Sequence, residues 1–212
     1  AERWTVSNDG TRLTFSLRKG VTFHDGTPFT SADAKHSVQR WMKDSRHVGG
    51  TLSSVIKSVE VPDTHTLAIN LNFAYADFFK LMMMDQIVVV PADRPPASSP
   101  EQVIGTGPFK LKSVQSSVSY VVVKNESYWN RDLPHLDGVT TYIITDRNTG
   151  TAAFRAGRVD MLVPVYLGVP QYLSIEAAMK GQATVYQFSN GTWWNMFLPV
   201  NKKPWSDVRV RK

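Results

Sequence analysis

Five histidines are the side chains of this sequence best suited to acid–base chemistry or metal binding near neutral pH. None stands at metal-ligand spacing with another histidine or a carboxylate. His24 and Asp25 could form an acid–base pair, but neighbours at a turn rarely point at one substrate atom. The chain has no cysteine, which excludes disulfides, thiolate metal sites and a cysteine nucleophile. We therefore expect no metal, no cofactor and no hydrolase, since the sequence offers no paired nucleophile and base.

A second candidate is the glycine pair in Gly105-Thr106-Gly107, which is closed by Pro108. The segment is too short to enclose a pyrophosphate, and it precedes a strand rather than a helix. The sequence has no Gly-x-Ser-x-Gly, Walker or dinucleotide motif either. We expect these glycines to allow a backbone crossing where ordinary side chains would clash. The segment would then join two modules of the chain.

The third candidate is aromatic. Trp193-Trp194-Asn195 follows the polar run Ser189–Thr192, and large rings beside amide and hydroxyl groups are typical of a cleft for an organic ligand. A strand here would point alternate side chains to opposite faces, so the two tryptophans cannot both face inward. One belongs in the core, and the other needs a partner or a cleft.

The composition limits the class of protein. Over 212 residues, 42% are hydrophobic and 20% charged, which fits a globular protein of one large or two small domains. The net charge of +6 keeps a polyanion- or nucleic-acid-binding domain as the alternative function. The basic residues are scattered, however, as on an ordinary solvated surface, and the densest run is Arg209–Lys212. No apolar run reaches the length of a membrane span.

Hydrophobic alternation and turn residues predict the elements of the first half. Trp4–Val6 and Leu13–Leu17 form a hairpin around Asn8-Asp9-Gly10. A helix begins at Thr30 or Ser31 and runs to about Lys43, with Asp33 completing a capping box. Gly49-Gly50 is predicted as a loop, and Tyr75–Met84 as a short apolar helix. The further strands predicted in this half are Val55–Val61, Thr66–Leu71 and Ile87–Val90.

In the second half, Phe109–Ser113 and Val118–Val123 are predicted to form another hairpin. One helix is capped by Asp146 and stops at Gly157, and another covers about Pro170–Lys180 and ends at Gly181. Four strands complete this half: Val139–Ile144, Val159–Val163, Val185–Phe188 and Trp193–Val200. The alternation of strands and helices predicts a mixed α/β sheet with crossover helices.

The segment Leu17–Asp33, LRKGVTFHDGTPFTSAD, resembles the signature of the family 5 extracellular solute-binding proteins, the peptide- and nickel-binding receptors of ABC importers. Four later segments resemble motifs of that family in the same order: Gly105–Phe109, Asn125–Trp129, Phe154–Asp160 and Asn201–Arg211. Trp205 replaces the usual phenylalanine of the last motif.

This resemblance implies a mixed α/β fold of the periplasmic binding protein type II-like class. Residues 1–103 would be an additional α+β subdomain of the first lobe, and residues 104–212 a part of that lobe. The second lobe, and an upstream signal or lipoprotein peptide, would lie outside this chain, which we interpret as a piece of a longer protein. The expected location is periplasmic or extracellular, with membrane association through the importer.

The implied function is that of the substrate-binding component of an ABC importer. It would capture a peptide or other small solute between two lobes and deliver it to a membrane permease. We expect a monomer that is not an enzyme and has no nucleic-acid partner, and we expect this piece alone to bind ligand weakly or not at all. The approach at Phe73–Tyr75 is a minor candidate for ligand contact. The ligand-binding residues we predict are Thr192, Trp193, Trp194, Asn195 and Tyr166.

Overall fold

A computed structural model of the protein describes residues 1–43, 49–83, 87–95, 97–162, 169–179 and 181–184. The chain divides into two compact units, Ala1–Ile143 and Ile144–Lys212. The division at residues 103 and 104 follows family resemblance rather than compactness, and it stays a prediction.

The first unit contains a four-stranded antiparallel sheet in the order β1-β2-β4-β3, followed along the chain by a three-stranded antiparallel sheet in the order β5-β6-β7. The strands are β1 (Arg3–Val6), β2 (Arg12–Ser16), β3 (Ile56–Asp63), β4 (Thr66–Leu71), β5 (Phe109–Gln115), β6 (Ser119–Lys124) and β7 (Gly138–Tyr142). The helices of this unit are α1 (Ser31–Lys43), α2 (Gly49–Val55) and α3 (Phe78–Met82).

The core lies on one face of the four-stranded sheet. Leu67, Ile69 and Leu71 alternate along β4 and are all buried, as the sequence pattern predicts. They belong to one apolar cluster with Val38 and Trp41 of α1. Ala68 and Asn70 point to the opposite face, where Asn70 binds the exposed Glu60 while Ala68 is fully buried.

Helix α1 begins where the predicted capping box places it. The Asp33 carboxylate accepts hydrogen bonds from the backbone N–H of Thr30, at 2.8 Å, and from its hydroxyl, at 2.9 Å. Thr30 is thus fixed directly before the first helical residue, Ser31. The predicted helix start is confirmed.

The predicted strand at Ile87–Val90 is wrong, since this segment is not strand. Its backbone is bound by side chains of α1 instead of by a neighbouring strand. The Trp41 indole donates to the Val88 carbonyl at 2.9 Å, and the Val90 N–H donates to the Ser37 hydroxyl at 3.0 Å. This apolar run therefore lies along a helix and not in a sheet, because side chains of the helix supply its hydrogen-bond partners.

The predicted loop at Gly49-Gly50 is also wrong, since both glycines belong to α2. Leu52 and Val55 of this helix are almost completely buried, at 0% and 2% exposure. Their burial in the core outweighs the low helix propensity of glycine. Helix α3 exists as predicted but is shorter, and it buries Phe78.

The predicted crossover architecture of the second half is not what the described strands form. Strands β5, β6 and β7 pair antiparallel with their neighbours in sequence, and residues 159–162 are not strand. Only three residues separate β5 from β6, so these two strands form the predicted hairpin, which is confirmed. Gly138 begins β7 where an added Cβ would lie only 2.6 Å from the Val122 carbonyl oxygen.

The second unit contains α4 (Arg147–Arg155) and α5 (Val169–Ala178). The Asp146 carboxylate caps α4 by accepting the Thr149 N–H at 2.8 Å, as predicted. Gly157 has φ of +67°, which confirms the left-handed residue predicted after α4, and Gly181 after α5 has φ of +78°. The predicted strands Val185–Phe188 and Trp193–Val200 lie outside the described residues. No helix within the described ranges is long and apolar enough to cross a membrane.

Candidate functional site

The predicted ligand-binding residues all lie outside the described part of the chain: Tyr166, Thr192, Trp193, Trp194 and Asn195. The motif-like segment Asn201–Arg211 lies outside it as well. The ligand site therefore stays a prediction from the sequence.

Three other motif-like segments meet at one place, directly before β5. We call this place the motif junction and define it by His24, Asp25, Gly105, Gly107 and Asn125. It joins residues more than eighty positions apart, since the contact between His24 and Gly105 spans 81 residues of chain.

His24 binds the glycine segment through both ring nitrogens. The Gly105 N–H donates to Nδ1 at 3.2 Å, and Nε2 lies 3.1 Å from the Gly107 carbonyl oxygen. An amide N–H can only donate and a carbonyl oxygen can only accept, so these contacts require a proton on Nε2 and none on Nδ1. The backbone N–H of His24 also donates to the Gly105 carbonyl, at 2.9 Å.

The environment of the ring favours its neutral form. Burial lowers the pKa of His24 below the usual 6.5, and the Lys110 charge lowers it further. The hydrogen bond to Gly107 and the Asp25 charge act in the opposite direction, but the net direction is downward.

Asn125 completes the junction from the other side. Its side chain is buried, with Nδ2 donating to the Gly107 carbonyl at 3.0 Å and Oδ1 accepting from the Ser127 N–H at 3.2 Å. Its own N–H donates to the Pro108 carbonyl at 2.8 Å. The Gly107 oxygen thus accepts from both Asn125 and His24, which uses both of its lone pairs.

The steric reason predicted for the glycine pair is wrong. Neither Gly105 nor Gly107 has a positive φ. A Cβ on Gly105 would meet His24 Cε1 at 3.8 Å, an ordinary contact, and one on Gly107 would meet no described atom within 4 Å. What the segment contributes is its backbone N–H and C=O groups, whose partners are far away in sequence.

Asp25 is bound on its own side of the turn and does not pair with the His24 ring. Its carboxylate accepts from the Thr27 N–H at 3.1 Å and the Thr27 hydroxyl at 2.7 Å, and it forms an ion pair with Arg94. The Thr27 hydrogen bonds, followed by the Arg94 charge, hold the pKa of Asp25 below its ordinary value. His24 and Asp25 therefore bind different partners. They do not form the acid–base pair that was considered, and disfavoured, from the sequence.

An aromatic contact lies beside the junction. The Arg18 guanidinium lies 3.6 Å from the centre of the Trp129 ring, and Tyr128 packs against the same tryptophan at 5.3 Å between ring centres. A cation over an indole face is stabilised by the ring quadrupole. This contact is a second link between the segments Leu17–Asp33 and Asn125–Trp129.

Sequence reasoning assigned His24 and Asn125 no role in common. The sequence showed that both residues lie in segments resembling family motifs, but it did not indicate that these segments are in contact. In the part of the chain that the structure describes, no group of three or more histidine, aspartate or glutamate residues could hold a metal ion.

The whole chain, residues 1–212, matches the sequence profile of the bacterial extracellular solute-binding proteins, family 5, middle region. The chain belongs to this family. The family suspected from the motifs is thereby confirmed.

Two relatives show the range of proteins it resembles. The chain is 30% identical over 177 residues to the glutathione-binding protein GsiB of Salmonella choleraesuis (strain SC-B67), a match that covers 78% of this chain and 33% of that protein. It is 29% identical to the heme-binding protein A of Haemophilus influenzae, a match that covers 100% of this chain and 43% of that protein. The chain therefore spans well under half the length of these relatives.

The fold resembles that of the periplasmic binding protein AgaA of A. tumefaciens R10, solved in complex with agropinic acid. The TM-score is 0.68 at 33% identity, over 76% of this chain and 33% of that one. The predicted mixed α/β fold of the type II periplasmic binding proteins is confirmed.

Proposed function

We propose that this chain is part of the substrate-binding component of an ABC importer, which captures a peptide or other small solute and delivers it to a membrane permease. The observation that carries the proposal is the match to a solute-binding family along the whole chain. The relatives named above are binding proteins for glutathione and heme, and AgaA was solved with agropinic acid. The proposed location is periplasmic or extracellular, with membrane association through the importer.

The mechanism we infer is capture by closure of two lobes. A ligand that contacts both lobes binds the closed state more tightly than the open one and shifts the population toward it. Residues 1–103 would form the additional subdomain and residues 104–212 part of the first lobe. This assignment is supported by the family resemblance, and the motif junction connects residues on both sides of that division within the first compact unit.

We propose that the first lobe meets its ligand at Thr192–Asn195, with Tyr166 as a further contact. The support is chemical, since a tryptophan pair beside hydroxyl and amide groups suits a small organic solute. The polyanion-binding alternative is supported only by the net charge of +6.

The proposal predicts that a protein comprising this chain and a second lobe retains a small solute, which native mass spectrometry would identify. With that solute in hand, Trp193→Ala or Trp194→Ala should weaken binding by about 5- to 150-fold in calorimetry, since stacking on one ring is worth about 1–3 kcal/mol. Trp4→Ala is the matched control, because Trp4 is 57% exposed on β1.

Two outcomes separate the parts of the proposal. A protein that retains no solute, and whose shape is unchanged by candidate solutes in X-ray scattering, would contradict the importer function. Solute binding that neither tryptophan variant weakens would leave the function intact and refute the assigned site.

A further inference from the structure

We propose that His24 is an acid-sensitive clasp, which holds the Gly105–Gly107 segment when its ring is neutral and releases the Gly105 N–H when Nδ1 takes up a proton. The inference concerns the motif junction alone and does not depend on the identity of any ligand.

The hydrogen-bond types at the ring carry the argument. Nδ1 accepts from the Gly105 N–H at 3.2 Å, and Nε2 donates to the Gly107 carbonyl across 3.1 Å. Protonation at Nδ1 would set two N–H groups against each other, while the Nε2 contact would be kept. The ring therefore has one neutral form that fits both partners, and its charged form fits only one.

The charged neighbours do not stabilise the protonated ring enough to reverse this preference. Asp25 is the anion beside it, but its carboxylate is already bound to Thr27 and Arg94. Lys110, on β5, adds a positive charge that opposes protonation. Partial burial of the ring lowers the pKa of His24 below its usual value and the Lys110 charge adds to this, whereas the Gly107 hydrogen bond and the Asp25 charge act in the opposite direction without reversing it.

Protonation of His24 would break one hydrogen bond and leave the other contacts of the motif junction in place. The Gly107 carbonyl is held independently by Asn125 Nδ2 at 3.0 Å, and the Gly105 carbonyl is held by the His24 N–H at 2.9 Å. Only the Gly105 N–H loses its partner. The acid-induced opening should therefore appear at residues 105 and 106 before β5 is affected.

The test compares hydrogen-exchange protection factors of the Gly105 amide between pH 7.5 and pH 5 in the wild-type chain and in His24→Gln. Glutamine also offers one acceptor and one donor but does not titrate in this range. In the wild type, protection should fall as the pH drops below about 6.5, by up to about tenfold per pH unit while the ring gains its proton. In His24→Gln, protection should not vary with pH. His135→Gln is the control for loss of an exposed imidazole, and it should behave like the wild type.

A direct observation of the ring keeps the proposal testable if His24→Gln does not fold. Imidazole ¹⁵N chemical shifts of the wild type at pH 7.5 should show the proton on Nε2. The Gly105 amide shift should then titrate together with the His24 ring. A proton on Nδ1, or a Gly105 amide that does not respond while the ring titrates, would overturn the proposal. Equal pH dependence of Gly105 protection in wild type and His24→Gln would also overturn it.

Discussion

Ser37 shows how one buried hydroxyl can determine the path of a distant segment. It lies on the inner face of α1 with 0% exposure. Its oxygen donates to the Asp33 carbonyl at 2.8 Å and accepts the Val90 N–H at 3.0 Å. Four positions earlier, the Asp33 carboxylate accepts the Ala92 N–H at 2.9 Å. These two side chains satisfy backbone groups of residues 90–92 that would otherwise need a strand partner.

We expect Ser37→Ala to lower the free energy of unfolding by about 1–3 kcal/mol, because the part-buried Val90 N–H would lose its acceptor, the buried Ser37 hydroxyl. Urea denaturation at neutral pH measures this change. The matched control is Ser53→Ala, which removes an exposed hydroxyl bound to the Gly50 carbonyl at 3.0 Å and should change stability by less than about 0.5 kcal/mol. Equal effects of the two substitutions would show that the contact with Val90 does not stabilise the fold.

Two glycines with different backbone conformations give a second prediction at this scale. Gly26 has φ of +90° and open space where a Cβ would be, so Gly26→Ala should cost about 1–2 kcal/mol through backbone strain alone. Gly107 has no positive φ and the same open space, so Gly107→Ala should be neutral or stabilising by about 0.4–1 kcal/mol. Thermal and urea unfolding of both variants provide the measurement. A comparable loss of stability in Gly107→Ala would support the steric crowding at this glycine that was predicted from the sequence.

At the scale of elements, the sequence correctly predicted features that depend on residues only a few positions away. The first hairpin, the Asp146 cap and the left-handed Gly157 depend on turn and cap residues next to them, and each was predicted correctly. Ile87–Val90 was predicted wrongly, because side chains about fifty residues away decide its conformation. The pairing of His24 with Gly105 was missed for the same reason, since no local pattern encodes a contact across 81 residues.

The hydrogen bonds that cap the start of α4 can be tested by substitution of Asp146. Asp146 accepts from both the N–H and the hydroxyl of Thr149, and these bonds hold the pKa of the carboxyl below its usual value. We expect Asp146→Ala to reduce hydrogen-exchange protection in the first turn of α4, whereas Asp146→Asn keeps an acceptor and most of the protection. In the wild type this protection should fall as the pH drops below about 3.8, while in Asp146→Asn it should not. Full protection in Asp146→Ala would show that the cap does not hold the helix end.

At the scale of the whole molecule, the motif junction brings three of the motif-like segments into contact. The side chains of His24 and Asn125 bind backbone groups of Gly105 and Gly107. These contacts cross the division at residues 103 and 104 and lie within one compact unit that ends at Ile143. Family resemblance indicated all three segments of this junction but not that they are in contact, and the geometry shows these contacts.

The titrating groups predict how the whole chain responds to acid. Because the pKa of His24 is lowered in the folded chain, its contribution to folding stability is complete above about pH 6.5. This contribution is lost as the pH falls below that value, since the unfolded chain then binds a proton more readily than the folded chain does. Several carboxyls also have lowered pKa values, with that of Asp9 lowered to about 2 by Ser7 and Thr11 and that of Glu60 lowered by Arg12 and Asn70. Their contribution is present above the unfolded values and is lost only as the pH falls through about 4.5 and below.

We therefore expect the urea midpoint to decline in two stages between pH 8 and pH 2.5. The first stage, beginning near pH 6.5, should disappear in His24→Gln and persist in His135→Gln, since the His24 ring lies between a donor and an acceptor and His135 is exposed. The second stage should remain in both variants, because it belongs to carboxyls such as Asp9 and Glu60. Glu60 is exposed and paired with the charged Arg12, so added salt should weaken its part of the second stage, whereas the part of Asp9, whose partners Ser7 and Thr11 are uncharged, should change little. A His24→Gln curve that superimposes on the wild type from pH 8 to pH 5 would show that the clasp does not contribute to global stability, whatever its effect on the Gly105 amide.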